Sequence, residues 1–110
     1  MLKKTHTIRK QKDIKDVFKL GKTFYSRELL LKIKDNKLNK YRMTVVVSSK
    51  VSQKAVVRNK IKRQIKAIFI KEIKSKKNIN KDFIFITLPQ IKNLTKEEVG
   101  VRVLQLMRSI

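Results

Sequence analysis

An apolar stripe with helical spacing runs through the most basic part of this chain. Its members recur at i, i+4, i+7, i+8 and i+12, which is one face of an α-helix: Ile61, Ile65, Ile68, Phe69 and Ile73. Cationic residues recur every four positions on another face: Arg58, Lys62 and Lys66. The spacing therefore predicts a long helix with one face packed on a core and a basic face in solvent.

No acidic residue nearby in the sequence balances the positive charge of the basic face, because residues 36–71 contain neither aspartate nor glutamate. Like charges at i, i+4 repel by a few tenths of a kcal/mol per pair, so stacking them destabilises a helix unless a polyanion neutralises them. The whole chain has the same character, with a formal charge of +22 over 110 residues. An excess of this size favours nucleic acid before membrane as the partner.

Other features exclude several classes of protein. No apolar run approaches the ~20 residues that span a bilayer, so no membrane partner is expected. The absence of cysteine excludes disulfides, zinc ribbons and thiol catalysis. The first ten residues lack the apolar segment of a secretory signal, which predicts a cytoplasmic protein. With 41% hydrophobic residues, two Gly and one Pro, residues 1–110 are expected to fold as a single domain.

Periodicity and turn residues predict the order of helices and strands. The predicted elements are a helix over 10–19, a short strand within 20–25, strands over 29–35 and 41–49, a helix over 55–74, a strand over 83–88 and a final helix. Gly21 is expected to end the first helix in a left-handed conformation. A capping-box pattern at 95–98 opens the final helix, whose predicted buried stripe is Val99, Val103, Leu106 and Ile110. This order predicts a small α/β sandwich.

Catalysis by the protein itself has little support in the sequence. His6 is the only histidine and is expected to lie in a mobile N-terminal tail, so no histidine pair is available for acid–base chemistry. The acidic pairs at 13 and 16 and at 97 and 98 are better explained by favourable positions near helix N-termini than by metal binding. No cofactor or metal is expected to bind to the protein alone.

The basic helix has a sequence that resembles a known motif. It is similar to the Arg-Asn-Arg motif of the bacterial ribonuclease P protein subunit, in the run Arg58-Asn59-Lys60-Ile61-Lys62-Arg63. The context is similar too, because Lys54-Ala55-Val56-Val57 precedes the motif and a strand ending in Val47-Ser48-Ser49-Lys50 comes before it. Segments 8–18, 27–31 and 82–86 resemble the opening helix, first long strand and last strand of that family.

The resemblance implies both a function and a fold. The protein would be a non-catalytic subunit of a ribozyme, binding ribonuclease P RNA and precursor transfer RNA and assisting endonucleolytic removal of the 5′ leader. Mg²⁺ would act through the RNA subunit. The domain would be a single RNA-binding α/β (α+β) two-layer sandwich, α-β-β-β-α-β-α, with a mixed sheet. Its βαβ crossover would be left-handed, against the general rule for such connections.

The resemblance also implies a surface that binds the catalytic RNA. Arginine presents a planar fork to phosphate and lysine a flexible point charge, so both can grip folded RNA without reading bases. Asn59 can donate and accept, and could order a water around an RNA-bound magnesium; a helix-terminal cap is the alternative for this residue. Lys60 and Lys66 stand where many members carry arginine. The expected RNA-binding residues are Lys54, Arg58, Asn59, Lys60, Lys62, Arg63 and Lys66.

A second surface is expected to hold the single-stranded leader. The family usually has phenylalanine where this chain has Ile14, which leaves Phe18 as the aromatic on which a leader base could stack. Phe18 shares a stripe with Ile14, so a place in the core is the alternative. The expected leader-binding residues are Phe18, Arg27, Ser48, Ser49 and Lys50.

A rival hypothesis does not need this resemblance. Composition alone would rank a ribosomal or other structural RNA-binding protein first, and a nucleoid-type DNA-binding protein would come third. Long disordered basic tails would favour the ribosomal alternative, and this compact sequence lacks them.

Overall fold

The computed structural model describes residues 4–76 and 79–108. Three helices and four strands form the fold: α1 (Gln11–Leu20), β1 (Lys22–Tyr25), β2 (Leu29–Asp35), β3 (Arg42–Val46), α2 (Ala55–Ile73), β4 (Lys81–Thr87) and α3 (Lys96–Met107). Short 3-10 helices cover Lys4–His6 and Pro89–Asn93. The predicted order of elements is confirmed, although β3 ends at Val46, earlier than expected.

The four strands form one mixed sheet in the order β1-β2-β4-β3. The pairs β1–β2 and β2–β4 are antiparallel, whereas β3 and β4 run parallel. Since α2 connects β3 to β4, these elements form a crossover between neighbouring parallel strands. The mixed sheet is therefore confirmed, and the left-handed sense of the crossover stays an expectation from the family resemblance.

The main core lies between one face of the sheet and the two longer helices. Alternate residues of β2 point into it, and from α2 it receives the predicted stripe, in which Ile61, Ile65, Phe69 and Ile73 are buried and Ile68 is partly buried. The Phe69 ring meets the rings of Phe83 and Phe85 edge-on, with centroids 5.2 and 6.0 Å apart. Val99, Val103 and Leu106 of α3 are buried as predicted, and Ile110 lies outside the described residues.

Helix α1 packs on the opposite face of the sheet. Val17 is fully buried there against Ile8 and Ile84, and the side chain of Ile14 packs partly against this second cluster. Because β2 residues alternate between faces, Lys32 and Lys34 lie on the side of α1 while their neighbours face the main core. The sheet thus has one closed face and one partly covered face. Helices lie on both sides of it, so the number of layers differs from the expected two, because the apolar stripe of α1 packs on the face opposite α2 and α3.

The conformation predicted for Gly21 is wrong. Its φ and ψ of −77° and 156° are extended, a conformation that any residue adopts. The reason for glycine is space, since a Cβ atom there would lie 2.5 Å from the carbonyl oxygen of Val17 and 2.9 Å from that of Ile33. Glycine therefore lets the end of α1 approach β2 closely.

The expectation of a mobile tail at His6 is also wrong. The His6 ring stacks on Tyr41 with centroids 4.1 Å apart and an interplanar angle of 16°. Its Nδ1 lies 2.7 Å from the Tyr41 carbonyl oxygen, and Thr7 forms a parallel bridge with Met43. His6 and Thr7, which precede α1, therefore contact the beginning of β3.

The capping box at the start of α3 is confirmed. The Thr95 hydroxyl accepts a hydrogen bond from the Glu98 amide at 3.1 Å, and Glu98 Oε1 accepts one from the Thr95 amide at 2.9 Å. The hydrogen bond from the Thr95 backbone is the largest cause of a lowered pKa at Glu98. Glu98 thus has the structural role that its position near a helix N-terminus predicts.

Candidate nucleic-acid interface

An open groove of about 450 Å³ lies along the exposed side of α2. Its lining residues are spaced three, four and seven apart, so the helix brings them to one surface: Val56, Asn59, Lys62, Arg63 and Lys66. None of the three cations forms a salt bridge within the part of the chain that the structure describes. The groove therefore presents uncompensated positive charge, with the amide of Asn59 among it.

Only some of the predicted RNA-binding residues line this groove. Asn59, Lys62, Arg63 and Lys66 line the groove, which we call the α2 groove, while Lys54 and Lys60 are exposed outside it. Arg58 is half-buried, and its Nη1 donates a hydrogen bond of 2.9 Å to the Ser52 carbonyl oxygen. Arg58 therefore fastens the loop that leads into α2, a role that its position in a basic motif did not reveal.

The alternative of Asn59 as a helix cap is wrong. The helix begins at Ala55 and its N-cap residue is Lys54, so Asn59 lies beyond the first turn. Its side chain is exposed and lines the α2 groove beside Lys62 and Arg63. An amide that caps no helix and faces solvent among cations is available to a ligand.

Phe18 lies on the surface and does not belong to either core. Its side chain is 41% exposed, in contrast to the fully buried neighbour Val17. The Lys32 ammonium lies 5.6 Å from the centroid of the Phe18 ring and also donates a hydrogen bond of 2.8 Å to the Thr23 hydroxyl. The ring and the ammonium together form an exposed pair on the partly covered face of the sheet.

The other predicted leader-binding residues gather at one end of the sheet. Arg27 precedes β2, and Ser48, Ser49 and Lys50 follow β3; all four are exposed. The register pairs Leu29 with Thr87 and Val46 with Ile86, so the start of β2 and the end of β3 lie at the same end. The exposed ring of Phe18 instead meets Lys32, in the middle of β2.

Sequence reasoning missed Lys32 as a neighbour of Phe18. The signal was present in the alternation of β2, which places Lys32 on the face opposite Leu31 and Ile33. What the alternation did not show was that α1 would cross this face with Phe18 above the lysine. That contact depends on tertiary packing.

A buried ionic network lies near the start of α1 and was also missed. Arg42 Nε and Nη2 donate to the two carboxylate oxygens of Asp82 at 2.9 and 2.7 Å, and Nη1 donates to Asp13 at 3.2 Å. Asn36 adds a hydrogen bond of 2.8 Å to Asp82, whose side chain is only 3% exposed. The hydrogen bond with Asp82 is the main cause of a raised pKa at Arg42. The network fixes α1 to β3 and β4.

Comparison with known protein families decides between the two hypotheses for this fold and this basic surface. A family model described as Ribonuclease P matches residues 2–110. The chain belongs to the ribonuclease P protein family. This finding favours the interpretation drawn from the Arg-Asn-Arg-like motif over a ribosomal or other structural RNA-binding protein.

Relatives and solved structures within the ribonuclease P family agree with this assignment. The ribonuclease P protein component of a Geobacillus species is 33% identical over 108 residues, which cover 97% of this chain and 91% of the relative. That of Streptococcus pneumoniae is 31% identical and covers 97% and 85%. The Staphylococcus aureus RNase P protein structure has a TM-score of 0.84 at 27% identity, covering 94% and 93%. The Thermotoga maritima RNase P protein has a TM-score of 0.80 at 25% identity, covering 94% and 96%.

As a ribonuclease P protein component, the chain is part of an endoribonuclease that processes transfer RNA, and it has an RNA partner in the holoenzyme. No helix among the described residues is long and apolar enough to cross a membrane.

Proposed function

We propose that this ribonuclease P protein binds the catalytic RNA through the α2 groove and the 5′ leader of precursor transfer RNA across the face that carries Phe18. The observation that carries the proposal is the α2 groove itself, where Lys62, Arg63 and Lys66 converge and where no carboxylate lines the groove among the described residues. Cations held on a rigid helix suit the fixed spacing of phosphates in folded RNA.

Asn59 gives the α2 groove a different chemistry from a simple basic patch. Its amide lies beside Lys62 and Arg63 and can accept from and donate to water. Mg²⁺ on RNA usually keeps several of its waters, so an amide can contact the ion through them. The proposal therefore places Mg²⁺ on the RNA, with Asn59 beside it, and no metal on the protein alone.

The leader would run from Phe18 toward the end of the sheet. An unpaired base can stack on the exposed ring of Phe18, and the Lys32 ammonium can meet an adjacent phosphate. Arg27 and Lys50 supply further cations at the end of the sheet, where Ser48 and Ser49 supply hydroxyls. Stacking and phosphate contacts tolerate any base, which suits substrates with different leaders.

In this proposal the RNA subunit performs the cleavage in the cytoplasm, and the protein contributes affinity and charge. The experiment is reconstitution with a bacterial ribonuclease P RNA and a precursor transfer RNA at low Mg²⁺. We expect no cleavage by the protein alone and a lower Mg²⁺ requirement when it joins the RNA, because its cations replace metal ions at the interface. Polylysine of similar charge is the control. Cleavage by protein that survives removal of all RNA would contradict the proposal.

Replacing Phe18 tests the leader surface separately. Phe18→Ala is expected to weaken binding of precursors with a leader of several nucleotides by about 5- to 150-fold, since stacking on an aromatic ring contributes ~1 to 3 kcal/mol per base. Binding of mature transfer RNA and the catalytic RNA should stay unchanged, as should the melting temperature, because the ring is exposed. Val101→Ala shortens another exposed apolar side chain, on α3 away from this face, and is the control. Equal losses for long-leader and leaderless RNA would refute the stacking role.

A further inference from the structure

A second pocket, of about 420 Å³, lies where the end of α1 meets the edge of the sheet. We call it the edge pocket. Its apolar residues are Leu20, Phe24 and Ile33, and its charged residues are Lys22, Lys34, Asp35 and Lys81. None of the residues assigned to catalytic RNA or leader lines this pocket. It combines an apolar surface with a cationic rim.

The apolar part of the edge pocket rests on the main core. Ile33 is buried, and Phe24 is partly buried against the same cluster. The register pairs Lys22 with Ile33 and Phe24 with Leu31, so the side chains of Lys22, Phe24 and Ile33 share one face of the sheet. Leu20, the last residue of α1, is 66% exposed beside them. A flat apolar group in the pocket could therefore contact Leu20 on one side and the packed side chains of Phe24 and Ile33 on the other.

The rim of the edge pocket carries more positive than negative charge. Three lysines face one carboxylate, which leaves an excess of two positive charges. Asp35 forms an ion pair with Lys81, and that contact is the largest cause of its lowered pKa, to which Lys22 and Lys34 also contribute. Lys22 forms no ion pair with any residue that the structure describes. The pocket therefore suits a ligand that is both flat and anionic.

We propose that the edge pocket binds an unpaired nucleotide of the ribonuclease P RNA, with the base against Leu20 and Phe24 and its phosphate near Lys22. A nucleotide has a flat base that suits the apolar surface of the pocket and a phosphate that suits its lysines. The chain also has a charge of +22 and belongs to a family with an RNA partner. The leader is the less suitable occupant, because neither Phe18 nor Lys32 lines the pocket. The inference rests on the proposed function, in which the protein binds the catalytic RNA.

Photochemical cross-linking in the reconstituted complex tests this inference. Benzoylphenylalanine replaces one exposed apolar residue at a time: Leu20 in the edge pocket, Val56 in the α2 groove, and Val101 on α3 outside both. We expect RNA adducts from positions 20 and 56 and none from position 101. The adduct at position 20 should map to an unpaired nucleotide of the catalytic RNA and should persist when mature transfer RNA replaces the precursor.

The outcomes separate this inference from the proposed function. Adducts at position 56 without any at position 20 would overturn the edge pocket alone, whereas no adduct at either position would contradict the binding of catalytic RNA by the α2 groove as well. An adduct at position 20 with the leader, or with a second protein molecule, would also overturn the inference, because it would identify a different occupant.

A binding measurement supplies a second, independent readout. Leu20→Ala with Lys22→Gln is expected to weaken binding of the catalytic RNA by at least about fivefold, since one stacked base and one phosphate contact are lost. The slope of log affinity against log salt should flatten by roughly 0.7 to 0.9. Val101→Ala with Lys92→Gln makes equivalent changes at exposed positions elsewhere and is the control. Unchanged affinity with a normal circular dichroism spectrum would refute the proposal.

Discussion

Arg42→Ala is expected to lower the free energy of unfolding by about 3 to 5 kcal/mol, because it leaves the carboxylate of Asp82 charged and buried without its ionic partner. Asp82 would keep only the hydrogen bond from Asn36. The change also frees Asp13, and with it the link between α1 and β3. Urea unfolding followed by circular dichroism, at constant salt, measures the loss.

Lys81→Ala is the control for the buried pair, since it breaks an ion pair whose aspartate, Asp35, is 81% exposed. Exposed pairs typically contribute less than about 1 kcal/mol. If the two variants unfold at the same urea concentration, the Arg42 network is not a main determinant of stability. A larger loss for Arg42→Ala would also explain how a chain with so much self-repulsion holds α1 in place.

The sequence predicted the elements well wherever periodicity alone decides structure. The stripe through Ile61, Ile65 and Phe69 predicted the end of α2 to within one residue. It did so because the side chains that define the helical period also fill the core. The alternation of β2 predicted its buried face for the same reason. The conformation predicted for Gly21 was wrong because glycine is needed there for a different reason, the close approach of the backbone at Ile33. The local sequence contains no sign of that contact.

The functional surfaces could be predicted only in part. The α2 groove follows from helical spacing and the absence of local acidic residues, so Asn59, Lys62 and Arg63 were recognisable from the sequence. The contact of Arg58 with Ser52 was not, because it depends on how the loop before α2 turns. Arg42 and Asp82 are 40 positions apart, and the edge pocket joins residues from α1, β1, β2 and β4. Only the folded sheet brings these groups together.

The hydrogen bond from Arg58 to Ser52 changes which cations should be removed to test the α2 groove. Replacing Arg58 would disturb the entry to the helix, whereas Lys62, Arg63 and Lys66 all line the groove and none belongs to the buried stripe. Changing these three to alanine is expected to weaken binding of the catalytic RNA by about two to three orders of magnitude, at about 1 to 1.5 kcal/mol per charge-assisted contact. Filter binding over a salt series measures both the affinity and its slope.

The salt slope distinguishes specific contacts in the α2 groove from a general loss of charge. Each phosphate contact removed should flatten log affinity against log salt by roughly 0.7 to 0.9, so the loss of three contacts should flatten it by about 2 to 3. The control removes the same charge from exposed positions near and on α3, with Lys92, Lys96 and Arg108 changed to alanine. Because these residues lie outside the groove, their loss should reduce long-range attraction only and change the slope much less. Equal slopes for the two triple variants, both folded by circular dichroism, would place the RNA on another surface of the protein.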